Sequence, residues 1–431
     1  MLTLLKEKKK KISVTGLGYV GLPLALELAR KYAVIGFDIN EERIQMIKKH
    51  QDPSNELEKT QFEGTDIIYT ADSKDLIKAH FHIIGVPTDI NEDKTPDLNP
   101  LIQASRSIGS ILKKGDVVVY ESTVFPGCTE DICVPILEES SGLKLGEGFK
   151  IGYSPERIVP GNKNKPLTQI LKIVSGSDLE VTDLIEQVYG SIIIAGIHRA
   201  PSIKTAEAAK IIENTQRDLN ISLMNELAII FDKMNIDIHD VIEAAGTKWN
   251  FHKYYPGLVG GHCIGVDPYY LIYKSKLLGI EPEVIAAGRK INDGIPRFIA
   301  SKLTKRLLEI KKSPLESRIL IMGVTFKENV SDIRNSKVFD LVSELKAYSL
   351  QLDIVDPYAN FKEVKKYYGV SLNEKPSGKY DAAIVCVSHD SYKQLKSEDF
   401  DQLLTKTDGI IFDIKGMYSQ QELKNFFYWK L

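Results

Sequence analysis

The sequence has few cysteines, no long apolar run and nearly balanced charge. Its 431 residues include four cysteines, which are too few for a disulfide framework and are not spaced like paired metal ligands. The longest apolar runs have the length of a strand rather than of a membrane-spanning helix. A net charge of −2 gives no basis for binding nucleic acid or a membrane surface. We therefore expect no metal site, no nucleic-acid partner and no membrane contact.

The composition predicts a globular protein of about two or three domains. Hydrophobic residues make up 43% of the chain and charged residues 26%, values typical of soluble proteins. The charges at the N-terminus follow its short apolar stretch, which is the reverse of a secretory signal. We expect the protein in the cytoplasm.

Strand and helix patterns alternate in the first part of the chain. Residues 12–15 and 33–38 form strand patterns on either side of a glycine-rich turn and a helix, and further strands are predicted at 82–86 and 116–120. This alternation is typical of a parallel, doubly wound sheet. We predict a Rossmann-like domain over residues 1–200.

Two more domains are predicted after residue 200. Strand signals fade over residues 201–310, where one helical pattern runs from about Thr205 to Met234 without proline or glycine. About 30 residues of helix extend roughly 45 Å, which predicts a spine between lobes and a dimer surface. Short β-rich runs return over residues 311–431. The predicted fold is therefore α/β, with two Rossmann-like parallel-sheet domains joined by a central helical domain.

A glycine fingerprint opens the first helix. Gly16 permits the tight turn, Gly18 lets a pyrophosphate approach the backbone, and Gly21 lets helix and strand pack closely. Asp38, at the end of the next strand, is placed to bind ribose hydroxyls and would repel a 2′-phosphate. The pattern predicts NAD rather than NADP. Arg43, five residues after Asp38, is the one feature that could soften this preference for NAD; the alternative is an exposed helix residue that at most packs over the adenine.

Polar residues follow two other predicted strands. Thr88 and Thr123 lie just beyond strands that end near residues 86 and 120. Ligands bind beyond the carboxyl ends of the strands in open α/β sheets, so these residues are expected near the nicotinamide. Ordinary turn chemistry is an equally good interpretation.

The predicted spine helix carries three polar residues on one face. Lys210, Asn214 and Arg217 are spaced at i, i+4 and i+7. Such a set can converge on one ligand and stabilise an oxyanion. A polar stripe facing solvent explains the same spacing.

A cysteine lies in the glycine-rich stretch of residues 260–267. Cys263 has flanking glycines that allow a substrate to approach, and Asp267 is four residues on. The thiol could act as a nucleophile, with Lys210 or the following helix lowering its pKa. It could also be an inert, buried cysteine. His262 is a weaker candidate for the activating base because adjacent side chains in an extended loop diverge.

The last domain carries a phosphate-contact pattern. Lys327 and Arg334 are seven residues apart in a segment that follows a predicted strand. Two cations near backbone amides suit a phosphate group.

Six motifs together resemble the UDP-glucose/GDP-mannose 6-dehydrogenase family in the family's order, and the similarity covers nearly the whole chain. The stretch of residues 246–263 is most similar to the bacterial branch that oxidises UDP-N-acetylhexosamines. The six motifs are residues 16–21, 121–124, 154–157, 210–214, 260–267 and 327–336.

The resemblance implies an N-terminal NAD domain, a helical centre that forms a homodimer and carries the catalytic loop, and a C-terminal UDP-binding domain. It makes Cys263 the nucleophile, Lys210 and Asn214 the oxyanion pair, and Asp267 a water-orienting carboxylate. Thr123 and Glu156 would assist proton transfer through water.

The resemblance also implies two sets of binding residues. Cofactor contacts are expected from Gly16, Gly18, Tyr19, Val20, Gly21, Asp38, Arg43, Thr88, Thr123 and Arg334. Substrate contacts are expected from Arg157, Ile158, Lys210, Asn214, Arg217, His252, Tyr255, Gly261 and Lys327. Two departures from the UDP-glucose enzymes, Val266 in place of a lysine and Pro160 in place of an acid, fit the N-acetylhexosamine branch.

The activity implied is a two-step, NAD-dependent oxidation of a C6 hydroxyl to a uronic acid through a cysteine thioester, for surface polysaccharide synthesis. UDP-N-acetylglucosamine is the first expected substrate, and the galacto and manno epimers and UDP-glucose are alternatives. The first general base is either neutral Lys210 or a water held by Asp267. A single-step hydroxyacid dehydrogenase and a nucleotide-sugar-binding or redox-sensing protein are the rival classes.

Overall fold

A computed structural model describes residues 1–54, 57–158, 165–405 and 408–431. Pro160 lies outside the described residues. The chain divides into two compact units: residues 1–213 with 269–280, and residues 214–268 with 281–431. Among the described residues, no helix is long and apolar enough to cross a membrane.

The first unit is built on one large sheet. Its strands are β1 (Lys11–Thr15), β2 (Val34–Phe37), β3 (Ile67–Thr70), β4 (Ala79–Ile84), β5 (Asp116–Tyr120), β6 (Phe149–Tyr153), β7 (Lys172–Gly176) and β8 (Ile197–Arg199). Its helices include α1 (Leu2–Lys6), α2 (Gly21–Ala29), α3 (Glu41–Lys48), α4 (Asn99–Gly109), α5 (Val134–Ser141) and α6 (Leu179–Gly190). The strand order is β3-β2-β1-β4-β5-β6-β7-β8. This is the predicted doubly wound arrangement, because the chain starts in the middle of the sheet and builds outward in both directions.

One pair in this sheet runs against the others. The pairing of β6 with β7 is antiparallel, and the remaining neighbours are parallel. An antiparallel pair needs no helical crossover. Among its described residues, the connection between these strands has only a short 3-10 turn at Leu167–Gln169.

Four helices lie between the two sheet-forming parts of the sequence. They are α7 (Ile203–Met234), α8 (Ile238–Ala245), α9 (Asp267–Leu277) and α10 (Glu283–Glu309). The predicted spine is α7, which has 32 residues. In the second unit, Met224 of α7 and Ile242 of α8 share a core with Ile299 of α10 and with the strands of the second sheet. The predicted three-domain boundaries at residues 200 and 310 stay a prediction.

The second unit contains the other Rossmann-like sheet. Its strands are β9 (Arg318–Met322), β10 (Gln351–Val355), β11 (Ala382–Val385), β12 (Ile410–Asp413) and β13 (Phe427–Lys430), in the order β10-β9-β11-β12-β13 and all parallel. Its helices are α11 (Lys337–Ala347), α12 (Phe361–Tyr368), α13 (Asp390–Lys393) and α14 (Ser397–Leu403). Both predicted parallel-sheet domains and the helical region between them are confirmed.

The turn after β9 in the second sheet resembles the turn after β1 in the first, but its carboxylate has different hydrogen-bond partners. Gly323 after β9 has φ +91°, as does Gly16 after β1. Asp356 follows β10 as Asp38 follows β2, and its carboxylate is saturated by its own chain. It accepts backbone N–H groups from Val324 at 2.6 Å, Thr325 at 3.2 Å, Tyr358 at 2.7 Å and Ala359 at 2.9 Å, with the His389 ring at 3.3 Å.

Candidate active site

Steric limits explain the glycines of the first turn. A Cβ on Gly21 would lie 1.8 Å from the carbonyl oxygen of Gly16, and one on Gly16 would lie 2.6 Å from that of Gly85. Gly16 also has φ +91°, which side-chain-bearing residues rarely adopt. At Gly18 the nearest atom, Nη1 of Arg43, is 3.5 Å from the position of a Cβ, so the backbone is open on that side. The turn therefore fits a dinucleotide pyrophosphate at the start of α2.

Asp38 closes this turn from the neighbouring strand. The residue is 7% exposed, and its carboxylate accepts the N–H of Leu17 at 2.9 Å and that of Asn40 at 2.9 Å. Arg43 lies against the same carboxylate, with Nη1 3.4 Å from Oδ2. A carboxylate has about four lone-pair sites, so acceptor capacity remains for ribose hydroxyls. Tyr19 and Val20, which precede α2, are partly buried.

We expect Gly21→Ala to abolish NAD binding. The added methyl group would overlap the Gly16 carbonyl oxygen, so either α2 or the turn must move away from the pyrophosphate position. Fluorescence titration with NADH measures the loss. Gly64→Ala is the matched control, because nothing lies within 4 Å of its Cβ position, although its φ of +70° carries some strain. NAD affinity equal to that of the wild type in Gly21→Ala would contradict this placement.

Thr88 and Thr123 lie just beyond two neighbouring strands, β4 and β5, and both are partly exposed. The two loops are joined, because Ser122 donates its hydroxyl to the carbonyl of Val86 at 2.7 Å. The loop that contains Thr123 is also held further along the chain. The buried carboxylate of Glu207 on α7 accepts the backbone N–H groups of Gly127 at 2.6 Å and Thr129 at 2.9 Å. Burial raises the pKa of Glu207 to about 7.

A buried charged cluster lies at the same edge of the first sheet. Lys172 Nζ is 2.7 Å from Glu121 Oε2 and 3.6 Å from Glu156 Oε2. Tyr189 donates its hydroxyl to Glu121. Sequence reasoning named Glu121 and Glu156 in motifs but missed Lys172, which is the first residue of β7 and carries no local signal of a partner.

The three polar residues on one face of α7 differ in how deeply they are buried. Lys210 and Asn214 are 7% and 6% exposed, whereas Arg217 is exposed. Arg157 pairs with Glu213 of the same helix, with Nη2 2.7 Å from Oε1. Ile158 packs against the core of the first unit. A solvent-facing stripe therefore describes Arg217 but not Lys210 or Asn214.

Asn214 and Asp267 form a buried pair. The amide nitrogen of Asn214 donates to Asp267 Oδ2 at 2.6 Å, and Asp267 is 2% exposed. The carboxylate thus orients the amide that the sequence assigns to oxyanion binding. The structure brings these two predicted site residues together, although they are 53 positions apart.

Cys263 is the one cysteine of the chain that is not buried. Its carbonyl accepts the N–H groups of Val266 at 3.0 Å and Asp267 at 2.8 Å, which leads the loop into the first turn of α9. The partial exposure leaves a surface from which a substrate can approach the thiol. An inert core role does not describe this position.

Two glycines pack the cysteine loop against the segment of residues 326–336. A Cβ on Gly260 would lie 2.4 Å from the Asn335 carbonyl oxygen, and one on Gly261 would lie 2.7 Å from the Phe326 ring. Gly261 has φ +81° and donates its N–H to the Asn335 carbonyl at 3.1 Å. The cysteine motif and the phosphate-contact motif are therefore in contact.

His262 turns toward the same segment. Its ring meets Phe326 edge-on at 5.5 Å, and Nδ1 lies 3.6 Å from Asp332. Arg334 pairs with Asp332 at 3.0 Å. Although burial opposes it, the Arg334 contact holds the pKa of Asp332 below its usual range.

A buried polar network supports the loop from behind. Asn225 of α7 binds both sides of the Gly257 backbone, accepting its N–H at 2.8 Å and donating to its carbonyl at 3.1 Å. The same amide donates to Asn292 at 2.7 Å. Asn292 donates to Asp218 at 2.7 Å, and Asp218 pairs with Arg289 at 2.5 Å. Sequence reasoning missed this network because its outermost members, Asp218 and Asn292, are 74 positions apart.

A small pocket lies beside the loop in the second unit. Lys327, Lys337 and Lys415 line it together with Gly260 and Phe326. Lys337 is paired with Asp293 at 2.9 Å and Asp340 at 2.7 Å. Sequence reasoning found Lys327 and missed the other two lysines, because one opens α11 and the other follows β12, far apart in the chain.

Two predicted substrate residues lie on the outside of the loop. His252 and Tyr255 are exposed. Tyr255 donates its hydroxyl to Glu243 at 2.7 Å and stacks on His239 with ring centroids 5.7 Å apart. No group of three metal-binding side chains occurs within the described parts of the chain.

The doubly wound sheet, the glycine turn and Asp38 of the first unit are the features of a dinucleotide-binding protein, the class that includes the dehydrogenases. Three models of the UDP-glucose/GDP-mannose dehydrogenase family match the chain: its NAD binding domain over residues 10–193, its central domain over 204–294 and its UDP binding domain over 320–420. The chain therefore belongs to the UDP-glucose/GDP-mannose dehydrogenase family, as the six motifs predicted. NAD is its cofactor and a UDP-sugar its substrate class.

Individual relatives extend over nearly the whole chain. The UDP-N-acetyl-D-glucosamine 6-dehydrogenase of Pseudomonas aeruginosa is 49% identical over 417 residues, which covers 96% of this chain and 99% of that protein. The enzyme of the same name from Salmonella typhi is 50% identical over 407 residues, covering 94% and 96%. A solved UDP-D-ManNAc dehydrogenase from Pyrococcus horikoshii superposes with a TM-score of 0.87 at 29% identity, covering 97% of this chain and 98% of the other.

Proposed function

We propose that this chain oxidises the C6 hydroxyl of UDP-N-acetylglucosamine to the uronic acid, using two NAD per sugar. Two relatives at about half identity carry that activity in their names, and both cover nearly all of this chain. UDP-N-acetylmannosamine is the second candidate, because a solved structure with that substrate in its name has the same fold.

The position of Cys263 supports the proposed covalent chemistry. The partly exposed Cys263 lies in a loop whose glycines pack directly on the segment that includes Lys327. A nucleophile fixed beside a phosphate-contacting segment can reach a sugar whose diphosphate is held there. Fixing both groups on one rigid support turns the covalent step into a reaction of neighbouring groups.

The proposed sequence begins with removal of the C6 hydroxyl proton. Neutral Lys210 or a water held by Asp267 accepts this proton, and NAD supplies the hydride acceptor for each of the two oxidations. Cys263 adds to the resulting aldehyde through its sulfur, and its thiol proton leaves to solvent. Lys210 and Asn214 then stabilise the oxyanion of the thiohemiacetal.

Oxidation of this adduct leaves a thioester on Cys263. Water attacks the thioester carbonyl, the C–S bond breaks, and the thiolate is regenerated with the uronate as product. Glu156, assisted by Thr123, accepts the proton of the attacking water in this step. Asp267 is buried and fixed to Asn214, which suits it to orient water and the amide.

The second unit supplies the diphosphate site in this proposal. Lys327 and Lys415 line the pocket beside Gly260, and a cluster of ammonium groups there attracts a nucleoside diphosphate. Arg157, Ile158, Arg217, His252, Tyr255 and Gly261 are the proposed further contacts to the substrate, and Arg334 to the cofactor.

We also propose a homodimer that works in the cytoplasm and serves surface polysaccharide synthesis. Leu223, Ile230 and Met234 are 50%, 46% and 56% exposed and follow one face of α7 at spacings of seven and four. An exposed apolar stripe on a long helix suits packing against a second copy.

Counting NADH per sugar tests the function. Purified protein is incubated with UDP-N-acetylglucosamine, its galacto and manno epimers and UDP-glucose, each at limiting concentration with excess NAD. We expect the highest kcat/KM with UDP-N-acetylglucosamine and two NADH formed for each molecule consumed. A ratio of one would indicate a single-step dehydrogenase, and no turnover on any of the four would indicate a binding or sensing protein.

A further inference from the structure

Two buried carboxylates share one ammonium group at the edge of the first sheet. Glu121, Glu156 and Lys172 are 1%, 8% and 1% exposed, and Tyr189 beside them is fully buried. Lys172 Nζ lies 2.7 Å from Glu121 and 3.6 Å from Glu156. The ring of Tyr189 also faces the ammonium, with its centroid 5.3 Å from Nζ.

The two oxygens of Glu156 have different surroundings. Oε1 accepts the N–H of Arg157 at 2.5 Å and that of Ile158, so the chain itself fixes this oxygen. Oε2 is buried and has no hydrogen-bond partner among the described residues. Among the described residues, the cation nearest to it is Lys172, at 3.6 Å. The orientation and charge of Oε2 therefore depend on that lysine.

The cluster is assembled from separate elements. Glu121 follows β5, Glu156 follows β6, Lys172 begins β7, and Tyr189 belongs to α6. Among the described residues of these strands and this helix, these are the titratable groups that interact with Glu156. Burial raises the pKa of Glu121, with Lys172 opposing that rise. Burial also raises the pKa of Tyr189, which keeps its hydroxyl proton available to Glu121.

We propose that Lys172 is a positioning residue for Glu156, holding Oε2 in place through the attraction of its ammonium group so that Glu156 can take the proton of the hydrolytic water. This inference rests on the proposed function, in which Glu156 acts during thioester hydrolysis. Glu121 interacts with the same ammonium group and so weakens the electrostatic attraction between Lys172 and Glu156.

Charges in this buried cluster interact strongly because their surroundings screen them poorly. Like charges that are buried together disfavour ionisation of one another, and an opposite charge nearby favours it. Without Lys172, two carboxylates would face each other, and one would bind a proton at a higher pH than in the wild type. Without the charge of Glu121, the whole ammonium would act on Glu156. The two changes therefore act in opposite directions.

The pH dependence of kcat tests this opposition. In Lys172→Met we expect the acidic limb of the kcat profile to move to higher pH by about one unit or more, so that activity on that limb falls about tenfold. Glu121→Gln should move the limb to lower pH. The double variant Glu121→Gln/Lys172→Met should return toward the wild-type profile, because it removes one charge of each sign. The initial burst of one NADH should keep its rate in Lys172→Met.

Lys150→Met is the matched control, since Lys150 pairs with Asp178 at the surface and should leave the pH profile unchanged. A uniform loss of activity at every pH in both single variants, or shifts of the same sign, would show a merely structural role. If Lys172→Met does not fold, Glu121→Gln and the double variant still show in which direction each charge moves the acidic limb of the kcat profile.

Infrared spectra separate this inference from the proposed function. The stretching band of protonated buried carboxyls should be stronger at neutral pH in Lys172→Met than in the wild type, and the double variant should show no such increase, whether or not the protein oxidises a UDP-sugar. No increase in a folded Lys172→Met would overturn the role of Lys172. Failure of the wild type to form NADH would instead overturn the proposed function alone.

Discussion

Cys263→Ala is expected to form no uronate from any UDP-sugar. Without the sulfur, the aldehyde has no covalent attachment and the second oxidation has no thiohemiacetal to act on. Loss of a nucleophile that acts together with its neighbours costs on the order of 10⁴-fold or more in kcat. Anaerobic assays with product analysis by mass spectrometry measure both the rate and any released aldehyde.

The control for this variant is Cys128→Ala. Cys128 is buried, and its pKa is raised by contact with Cys133 and by burial, so it cannot supply a thiolate near neutral pH. Iodoacetamide should label the wild type at one fast site and Cys263→Ala at none. Uronate formed by Cys263→Ala at the wild-type rate would rule out the covalent route.

Asp218→Ala should cause the largest loss of stability. Arg289 is 2% exposed and pairs with Asp218 at 2.5 Å. Without Asp218, Arg289 keeps its pair with Asp293, at 2.6 Å, but removal of one partner of a buried ion pair costs about 3–5 kcal/mol. That is a large part of the roughly 5–15 kcal/mol that separates a folded domain from its unfolded state. Thermal unfolding followed by circular dichroism measures the change.

The same substitution should loosen the cysteine loop. Asn292 loses an acceptor, and Asn292 in turn binds the amide of Asn225 that holds the Gly257 backbone. Cys263 should therefore be alkylated faster in Asp218→Ala. Glu309→Ala, which removes exposed ion pairs on α10, is the control and should change stability by no more than about 0.5 kcal/mol. A loss below about 1 kcal/mol in Asp218→Ala would contradict the prediction.

Local sequence patterns predicted much of the fold. The strand patterns at residues 12–15 and 116–120 became β1 and β5, and the helical pattern from Thr205 became α7. In each of these segments, the spacing of the apolar residues is the one expected when one face or both faces of the helix or strand are buried. β13 was missed, because Phe427–Lys430 mixes three aromatic residues with a charge and becomes a strand only by pairing with β12.

The candidate site was predictable where a residue's role depends on its own neighbours in sequence. Gly16 and Gly21 are required by the turn that contains them, and Cys263 lies among glycines that mark a close approach. The partners of Lys172 and Asn225 come instead from strands and helices far away in the chain. Pairing of that kind follows from tertiary packing, which periodicity within one element cannot reveal.

The saturated carboxylate of Asp356 has a kinetic consequence. Its oxygens are filled by four backbone N–H groups and His389, so this turn offers no acceptor to a ribose, whereas Asp38 retains that capacity. Among the described residues, one such turn is then left to serve both oxidations of each sugar. In the proposed mechanism, spent cofactor must depart and fresh cofactor must enter while the half-oxidised sugar stays bound to the Cys263 sulfur, so that exchange at the glycine turn would be a required step between the two oxidations.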